Sequence, residues 1–322
     1  MKELKAYLLR EKEPIEASIR QALAGLHPLV RPVAEHVLLA GGKRLRPLLV
    51  ILSARAGGYD GPDLHALAAA LELFHSATLI HDDILDHAET RRGQASTHLE
   101  FGLTESVLAG DVLLALANRI VARTGNPALT ECVSEAIQET AVGEMLEIAQ
   151  GRIPDFSEDD YLKIIIGKTA FLIQAAAEFG AILAGRDDQA RAAAREFGRH
   201  VGIAFQLVDD ALDFEADSEH LGKPAGTDLR EGKLTLPAIL YLKTLESEVR
   251  NELVAEITSR RLDHQTLGSL ADAIDKGGFS GKTRTQAEEY IAVALKALPA
   301  FASGSEARIL AQMAQYITTR QR

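Results

Sequence analysis

The sequence predicts an all-α fold, a helical bundle, from three observations. Ala and Leu recur throughout the 322 residues, whereas runs of Val, Ile, Thr and Tyr, which favour strands, are scarce. Between breaks made by Gly and Pro, apolar residues recur at intervals of three and four, as in Leu64, Leu67 and Ala68. A short acidic phrase, Asp-Asp-x-x-Asp after an apolar run, appears twice, at 82–86 and 209–213. The helical period and the repeated phrase both favour packed helices over sheets.

Gly and Pro residues delimit the expected helices. The breaks lie at 41–42, 57–62, 125–127, 151–154, 185, 222–226 and 277–278. No linker or change of composition separates a second part of the chain, and this length is enough to bury a sizeable core. We therefore predict a single domain over residues 1–322. The distance between the two acidic phrases is too long for a solenoid repeat and suits two helices that face each other across a central cavity.

Composition and charge exclude several classes of protein. The net charge is −11, whereas nucleic acids require a basic face, so no nucleic-acid partner is expected. Cys132 is the only cysteine, which rules out an intrachain disulfide and fits a reducing compartment. The first 16 residues are charged and lack the apolar core of a signal peptide, and the apolar stretch at 173–185 is interrupted by Glu178. We predict a cytoplasmic protein without a transmembrane segment, and a peripheral membrane contact stays open.

The two acidic phrases are the strongest sign of chemistry. In a helix, side chains at i and i+4 stack, so Asp82 and Asp86 share one face, as do Asp209 and Asp213. If the two faces look at each other, six carboxylates crowd one cleft, an arrangement that is stable only around divalent cations. For one phrase alone, a solvated acidic stripe at a helix end is an equally good interpretation. The repeat, and the Arg pair after the first phrase, favour an Mg²⁺ site that binds an anionic substrate. The candidate metal ligands are Asp82, Asp83, Asp86, Asp209, Asp210 and Asp213.

Cations cluster in short loops despite the negative net charge. The segment GGKRLRP at 41–47 places three cations in four positions at the start of a helix, where anions bind well. Helix punctuation accounts for its glycines and its proline but not for the cations. Arg91 and Arg92 follow the first acidic phrase, and Arg side chains match phosphate geometry. Lys223 and Lys233 lie beside Gly after the second phrase, and we favour phosphate contact over simple solvent exposure for both.

A glycine interrupts an apolar helical stretch at Gly167-Lys168-Thr169. Inside a helix, Gly costs about 1 kcal/mol relative to Ala. A kink that exposes backbone carbonyls and turns Lys168 inward would give this glycine a function. A glycine that is needed only for close packing is the alternative.

Taken together, these motifs resemble those of the trans-isoprenyl diphosphate synthases, the polyprenyl synthetase family, and they occur in the family's order. The resemblance extends over most of the chain. The matching segments are GGKRLRP at 41–47, His75, DDILD at 82–86, RRG at 91–93, GKT at 167–169, FQLVDDALDF at 205–214 and GKPAGTDLREGKLTLP at 222–237. No segment is specific alone, but the set is highly specific.

The resemblance implies an enzyme, an Mg²⁺-dependent prenyltransferase. It would condense isopentenyl diphosphate with an allylic diphosphate primer to give an all-trans polyprenyl diphosphate, and a homodimer is expected. About three Mg²⁺ ions would be held by Asp82, Asp86 and Asp209, supported by the other Asp residues of both phrases. Arg44 matches the motif, but we expect a structural role for it. The resemblance implies that the allylic diphosphate is bound by Arg91, Lys168, Lys223 and Lys233, that isopentenyl diphosphate is bound by Lys43, Arg46, His75 and Arg92, and that the allylic cation faces Gln206, Thr169 and the carbonyl of Lys168.

Small residues before the first acidic phrase indicate a long product. Ala77 and Thr78 stand where, in short-chain relatives, a bulky aromatic residue closes the elongation cavity. The cavity floor should then lie deeper, on the helix that begins near Asp111. The candidate floor residues are Ile120, Val121 and Val133. We predict a medium- or long-chain product of about six to ten isoprene units, near eight, with a steric wall as the ruler. A short-chain farnesyl or geranylgeranyl diphosphate synthase is the alternative.

Three further functions are alternatives. A terpene cyclase shares a metal-binding helical bundle but has no isopentenyl diphosphate site, so the 41–47 segment and His75 argue against it. A non-catalytic subunit of a heteromeric synthase loses the acidic phrases, and this chain keeps both. A metal-dependent phosphohydrolase would match His81 followed by Asp82 but would not need the second phrase.

Overall fold

The computed structural model describes residues 2–150, 156–215 and 226–320. In these residues the protein is almost entirely helical, and the one sheet is an antiparallel hairpin of β1 Thr90–Arg91 and β2 Gln94–Ala95. The all-α prediction is therefore confirmed. The helices, in chain order, are α1 Lys2–Ala24, α2 Arg31–Leu38, α3 Leu45–Ala56, α4 Leu64–Leu85, α5 Thr97–Glu100, α6 Leu103–Ala122, α7 Pro127–Ala149, α8 Glu158–Ile165, α9 Phe171–Leu183, α10 Asp188–Glu215, α11 Thr227–Arg230, α12 Leu236–Leu242, α13 Ser247–Thr258, α14 His264–Lys276, α15 Phe279–Phe301 and α16 Gly304–Thr319. A single π-helical turn, Ile166–Ala170, joins α8 to α9.

The chain divides into two compact units. The first contains Met1–Ile137, Ala175–Arg195 and Leu298–Gln312, and the second contains Gln138–Gln174, Glu196–Ala297 and Met313–Arg322. Two expectations stay predictions: that residues 1–322 form a single domain, and that the two acidic phrases face each other.

Helix α4 forms the core of the first unit. Its sequence is almost continuously apolar, and Leu67, Ala70, Leu71 and Phe74 are all buried, as expected of a helix that is covered on several sides. It packs against α1, α3 and α6. The first acidic phrase lies at the C-terminal end of this helix and is therefore held by a well-packed support.

Helix α6 begins earlier than the sequence predicted. The expected start near Asp111 was wrong, because α6 begins at Leu103 after Gly102, whose φ of 103° is a conformation that favours glycine. Gly110 lies inside the helix, where it allows a close approach to α4. A Cβ at this position would lie 2.3 Å from His81 Nε2. Gly110 therefore serves packing and does not break the helix.

In the second unit, α10 carries the second acidic phrase. Val201, Ala204, Leu207, Val208 and Ala211 are buried at intervals of three and four, which is the pattern of a helix packed along one stripe. The acidic phrase follows within the last two turns of the helix, which ends at Glu215. As in α4, an apolar stripe leads directly into the carboxylates.

Close packing at Gly167 is confirmed, whereas backbone carbonyls exposed by a kink stay a prediction. Gly167 lies in the π-helical turn, a local bulge of the kind that is frequent at functional sites. It also packs tightly against Gly143 of α7: a Cβ on Gly167 would lie 2.8 Å from the Glu139 carbonyl oxygen, and a Cβ on Gly143 would lie 2.2 Å from the Lys168 backbone nitrogen. The two backbones can approach this closely only because both positions are glycine.

Among the described residues, one helical stretch, Glu158–Leu183, is long and apolar enough to cross a membrane by length and composition. Its most apolar part is 78% buried inside the protein, as is typical of a core helix. The apolar character of this stretch is thus explained by packing.

Candidate active site

The first acidic phrase continues the helical geometry of α4 through its last carboxylate. The Asp86 N–H donates to the Asp82 carbonyl oxygen at 2.8 Å, so the prediction that these two side chains share a helix face is confirmed. Both are half-buried. They lie at the C-terminal end of the helix, where the helix dipole is negative and further negative charge is unfavourable. Two carboxylates at this position create a negative potential that attracts cations.

The buried carboxylate of the phrase has a different partner. Asp83 is 1% exposed, and Arg91 Nε donates to its Oδ1 at 2.5 Å. Burial raises the pKa of Asp83, and the Arg91 guanidinium opposes that rise. Arg91 lies in β1, and the following Arg92 and Gly93 form a two-residue turn with φ of 52° and 78°, as type I′ hairpins require. Asp83 therefore anchors the hairpin that carries both arginines, while its assignment to the metal stays a prediction.

The structure brings Arg46, His75 and Arg92 together in the first unit. Burial and the nearby Arg92 lower the pKa of Arg46 to about 10, with Glu72 opposing. Burial and the surrounding guanidiniums of Arg46, Arg92, Arg91 and Arg44 hold the pKa of His75 well below 6.5, so its imidazole is neutral. A neutral imidazole can still donate one hydrogen bond to an anion.

An anion with several oxygens fits this cluster. The Arg46 Nε is buried and has no hydrogen-bond partner within the part of the chain that the structure describes. The Arg92 guanidinium donates to the Gly41 carbonyl oxygen, which ties the hairpin to the 41–47 loop. Lys43, in the same loop, is exposed.

Arg44 has the structural role that the sequence analysis expected. It is 5% exposed and adopts a positive φ of 48°. Its guanidinium donates to Glu16 at 2.7 Å, to Glu72 at 2.8 Å and to the Leu38 carbonyl oxygen. These contacts fasten α1, α2 and α4 to one buried guanidinium.

The three carboxylates of the second phrase have three different environments. Asp209 is half-exposed and pairs with Arg320 at 2.6 Å. Asp210 is 2% exposed, and burial raises its pKa to about 7 against the hydrogen bonds that Tyr161 and Gln206 donate to it. Asp213 accepts the Asp228 backbone N–H at 3.0 Å, and burial raises its pKa. Asp209 and Asp213 both lie in α10 at helical spacing, so their shared face is also confirmed.

A cavity of about 130 Å³ in the second unit collects several of the predicted residues. Lys168, Thr169, Gln206 and Lys233 all line it, together with Asp228. Lys168 Nζ pairs with Glu144 at 2.7 Å and also with Glu147, and Lys233 Nζ lies 2.9 Å from Glu231 and 3.9 Å from Glu147. Both lysines that line the cavity are thus paired with carboxylates. Lys223 lies outside the described residues.

Comparison with known proteins identifies the family. The chain matches the sequence profile of the polyprenyl synthetase family over residues 27–274. It belongs to the polyprenyl synthetase family. An octaprenyl diphosphate synthase from Escherichia coli (strain K12) is 36% identical, with 88% of each chain covered. A short chain isoprenyl diphosphate synthase from Methanothermobacter thermautotrophicus is 34% identical, with 100% of each chain covered. The crystal structure of a polyprenyl synthase from Caulobacter crescentus CB15, complexed with calcium and isoprenyl diphosphate, is 36% identical, covers 98% of both chains and superposes with a TM-score of 0.90.

One buried side chain at the site, Tyr161, lies outside the motifs and was not predicted from the sequence. At the start of α8, Ser157 forms a capping box with Asp160. Tyr161, the next residue, is 3% exposed and donates to Asp210 at 2.5 Å. A signal was available, because a Tyr on the apolar face of a helix needs a hydrogen-bond partner when it is buried. Glu144 and Glu147, which hold Lys168, gave no comparable signal.

The structure separates the predicted chain-length residues. Ala77, Val121 and Val133 are fully buried, and the Thr78 hydroxyl donates to the His75 carbonyl oxygen at 2.9 Å. Ile120 instead lines a groove of about 460 Å³ beside Arg119, Arg123 and residues of α1, and neither Ala77 nor Thr78 lines that groove. Ile120 is therefore not brought together with the expected cavity wall.

Proposed function

We propose that the protein is an Mg²⁺-dependent trans-prenyltransferase that condenses isopentenyl diphosphate with an allylic diphosphate primer. The observation that carries the proposal is the arrangement of α4. His75, Asp82 and Asp86 are spaced at i, i+7 and i+11, so they lie on one stripe of this helix. The cation cluster around His75 and the carboxylate pair are thus about 10 Å apart along the helix axis. One helix face supports both an anion site and a cation site, as a reaction between two diphosphates requires.

The carboxylates fit Mg²⁺ by their chemistry. Hard divalent cations prefer carboxylate oxygens, and the helix ends on which these residues lie add to the attraction. Asp82, Asp86 and Asp209 would be the ligands, for about three ions. The calcium in the related Caulobacter structure supports a divalent-cation site in this family. When bound, Mg²⁺ would neutralise the charge that develops on the leaving diphosphate.

The remaining residues have separate roles in the reaction. As the allylic C–O bond breaks, its electrons leave with the diphosphate, and Arg91, Lys168 and Lys233 stabilise that negative charge. Arg46, Arg92 and the neutral His75 hold the diphosphate of isopentenyl diphosphate. The double bond of isopentenyl diphosphate attacks the allylic cation and forms the new C–C bond. The departing diphosphate then accepts the proton that is lost. Water must be excluded throughout, because it would quench the cation.

We propose a product of medium length, about six to ten isoprene units, because the residues before the first phrase leave the cavity wall open to a growing chain. Relatives named for long products, an octaprenyl and a nonaprenyl diphosphate synthase at 36% and 37% identity, support this length over the short-chain alternative. The small side chains of Ala77 and Thr78 are the feature of this chain that favours the longer product.

We also propose a homodimer in the cytoplasm. Leu99, Leu103 and Leu108, on α5 and at the start of α6, are 58%, 58% and 56% exposed. Neighbouring exposed leucines of this kind are typical of a protein contact surface. The single cysteine, which is buried, fits a reducing compartment. A peripheral membrane contact would assist release of a long apolar product.

The test is a product assay with radiolabelled isopentenyl diphosphate and farnesyl diphosphate. With Mg²⁺, we expect a ladder of polyprenyl diphosphates on reverse-phase chromatography, and chelation of the metal should abolish it. Release of diphosphate without transfer of the label would instead indicate a cyclase. Release of inorganic phosphate alone would indicate a hydrolase.

A further inference from the structure

Four side chains of the second unit form one hydrogen-bond chain. The Thr169 Oγ1 lies 2.9 Å from Gln206 Oε1, the Gln206 Nε2 lies 2.7 Å from Asp210 Oδ1, and the Tyr161 hydroxyl lies 2.5 Å from Asp210 Oδ2. All four residues line the same cavity. Tyr161 and Asp210 are 3% and 2% exposed, so the inner end of the chain is shielded from water.

The chemistry of these groups gives the chain a direction. The Tyr161 hydroxyl and the Gln206 amide nitrogen both donate to Asp210, and an amide nitrogen can only donate. The amide nitrogen of Gln206 therefore faces Asp210, and its carbonyl oxygen faces Thr169. The Thr169 hydroxyl has to donate its one proton to that carbonyl. The Thr169 oxygen is left with lone pairs only for any other group in the cavity.

We propose that Tyr161 and Asp210 are positioning residues of the prenyltransferase reaction, an inference that rests on the proposed function. They fix the orientation of Gln206, which in turn fixes the direction of the Thr169 hydroxyl. Lone pairs of Thr169, rather than its proton, then face the allylic cation. In a cavity that excludes water, a fixed partial negative charge stabilises a cation strongly, and a proton in the same place would repel it.

This role replaces the metal-ligand role of Asp210. Each of its carboxylate oxygens already accepts a hydrogen bond from a side chain of the second unit. Asp209, the neighbouring carboxylate, is half-exposed and pairs with Arg320 at 2.6 Å. The second acidic phrase thus combines the half-exposed carboxylate of Asp209 with the buried carboxylate of Asp210, which orients the groups that face the allylic cation.

The first test uses Tyr161→Phe, which removes only the hydroxyl. We expect kcat to fall by about tenfold to a hundredfold, with KM for isopentenyl diphosphate within about twofold of the wild-type value. Divalent-cation binding, measured by calorimetry with Mg²⁺ alone, should not change. Tyr241→Phe is the matched control, because Tyr241 lies in the same unit, packs edge-on against Phe279 and takes no part in the hydrogen-bond chain of Tyr161. An unchanged kcat in Tyr161→Phe would overturn the inference.

The second test is a double-mutant cycle. Thr169→Val removes the group through which Tyr161 is argued to act, so Tyr161→Phe should have little further effect on kcat in that background. An equal fold-loss in both backgrounds would mean that Tyr161 acts independently of Thr169 and would overturn the inference. Asp210→Asn gives a third measurement, since it should leave the affinity for Mg²⁺ nearly unchanged. A large loss of that affinity would restore Asp210 as a metal ligand and would also overturn the inference.

The outcomes separate this inference from the proposed function. A wild-type protein that forms no prenyl product would overturn the proposed function and the inference with it. An active wild-type enzyme with an equally active Tyr161→Phe variant would overturn the inference alone. Thermal unfolding of every variant, measured beforehand, ensures that the kinetic comparison is made between folded proteins.

Discussion

Arg320, near the C-terminus, binds the outward carboxylate of the second acidic phrase. Its Nη2 lies 2.6 Å from Asp209 Oδ1 and 2.8 Å from the Phe205 carbonyl oxygen, and its guanidinium lies 4.3 Å from the centre of the Phe205 ring. Arg284 pairs with Glu215 at 2.6 Å and donates to the Arg320 carbonyl oxygen. The C-terminal segment is thus fastened to α10 at a proposed metal ligand.

The first prediction concerns this contact. Arg320→Gln should lower the Mg²⁺ concentration needed for half-maximal activity by about threefold to tenfold, because a cation beside Asp209 repels a second cation. Both the Mg²⁺ dependence of the rate and calorimetric binding of Mg²⁺ alone would measure it. Lys276→Gln is the control, since Lys276 pairs with an exposed Asp272 on the surface of α14. A higher Mg²⁺ requirement in Arg320→Gln would mean that Arg320 helps the metal to bind.

The second prediction concerns the metal ligands. Asp82→Ala and Asp209→Ala should each reduce turnover by at least roughly a hundredfold to a thousandfold, comparable to the loss of one preorganised stabilising group. Asp82→Ala should stay folded, since removing one carboxylate from an acidic helix end relieves repulsion. Asp209→Ala should also fold but with a lower free energy of unfolding, because it removes the partner of the buried Arg320. Steady-state assays at saturating Mg²⁺ measure the turnover, and thermal unfolding measures the stability of each variant. Near wild-type turnover in either variant would refute its assignment as a ligand.

Asp83→Ala should behave differently, which makes it a contrast within the same phrase. Its carboxylate anchors the hairpin of Arg91 and Arg92, so its loss should raise KM for both diphosphate substrates several-fold and lower the free energy of unfolding by about 1–3 kcal/mol. The Mg²⁺ requirement should stay close to that of the wild type. A strongly raised Mg²⁺ requirement would instead support Asp83 as a ligand.

The third prediction separates the two diphosphate sites. Arg46→Ala should raise KM for isopentenyl diphosphate more than KM for the allylic primer, because Arg46 belongs to the cluster around His75. Lys233→Ala should do the reverse, because Lys233 lines the cavity that contains Thr169 and Gln206. Both Michaelis constants are measured for each variant. Equal effects on both substrates from both variants would contradict the division into two sites.

The fourth prediction is a pH dependence of stability. Burial and neighbouring guanidiniums hold the pKa of folded His75 well below 6.5, whereas the unfolded chain titrates near that value. Below pH 6.5 the unfolded state therefore binds a proton that the folded state does not, and stability falls as pH falls, by at most about 1.4 kcal/mol per pH unit from this group. His75→Gln should lose this component. Thermal unfolding of both proteins between pH 7.5 and 5.5 tests it. If the stability of the two proteins changed equally with pH, the pKa of His75 would not be lowered in the folded state.

The fifth prediction concerns product length. Ala77 is fully buried, and Ala77→Phe should close the elongation cavity and shift the product to about three or four isoprene units. A steric wall acts almost all-or-none, whereas graded affinity discriminates one methylene by only about 1–3 kcal/mol. Primer ionisation should be largely retained, since Ala77 lies more than one helical turn before Asp82. The product ladder on reverse-phase chromatography is the measurement, and an unchanged ladder from an active variant would show that the product does not grow past this position.

The sequence by itself determined the features that depend on local periodicity. The all-α class follows from the helical period of the apolar residues. The shared faces of Asp82 with Asp86 and of Asp209 with Asp213 follow from 3.6 residues per turn. The motifs, read in order, also determined the family. These properties need no knowledge of which distant segments touch.

Only the tertiary structure decided what each carboxylate and glycine does. Asp83 pairs with Arg91, and Asp210 accepts hydrogen bonds from Tyr161 and Gln206. Gly110 lies inside α6, where the absence of a Cβ allows His81 to pack closely. Each of these contacts joins segments that lie apart in the chain, and its existence depends on how helices pack rather than on the residues beside it. A local sequence pattern carries no information about that packing. The start of α6 was therefore predicted at the wrong residue, and the partners of the acidic phrases could be identified only from the fold.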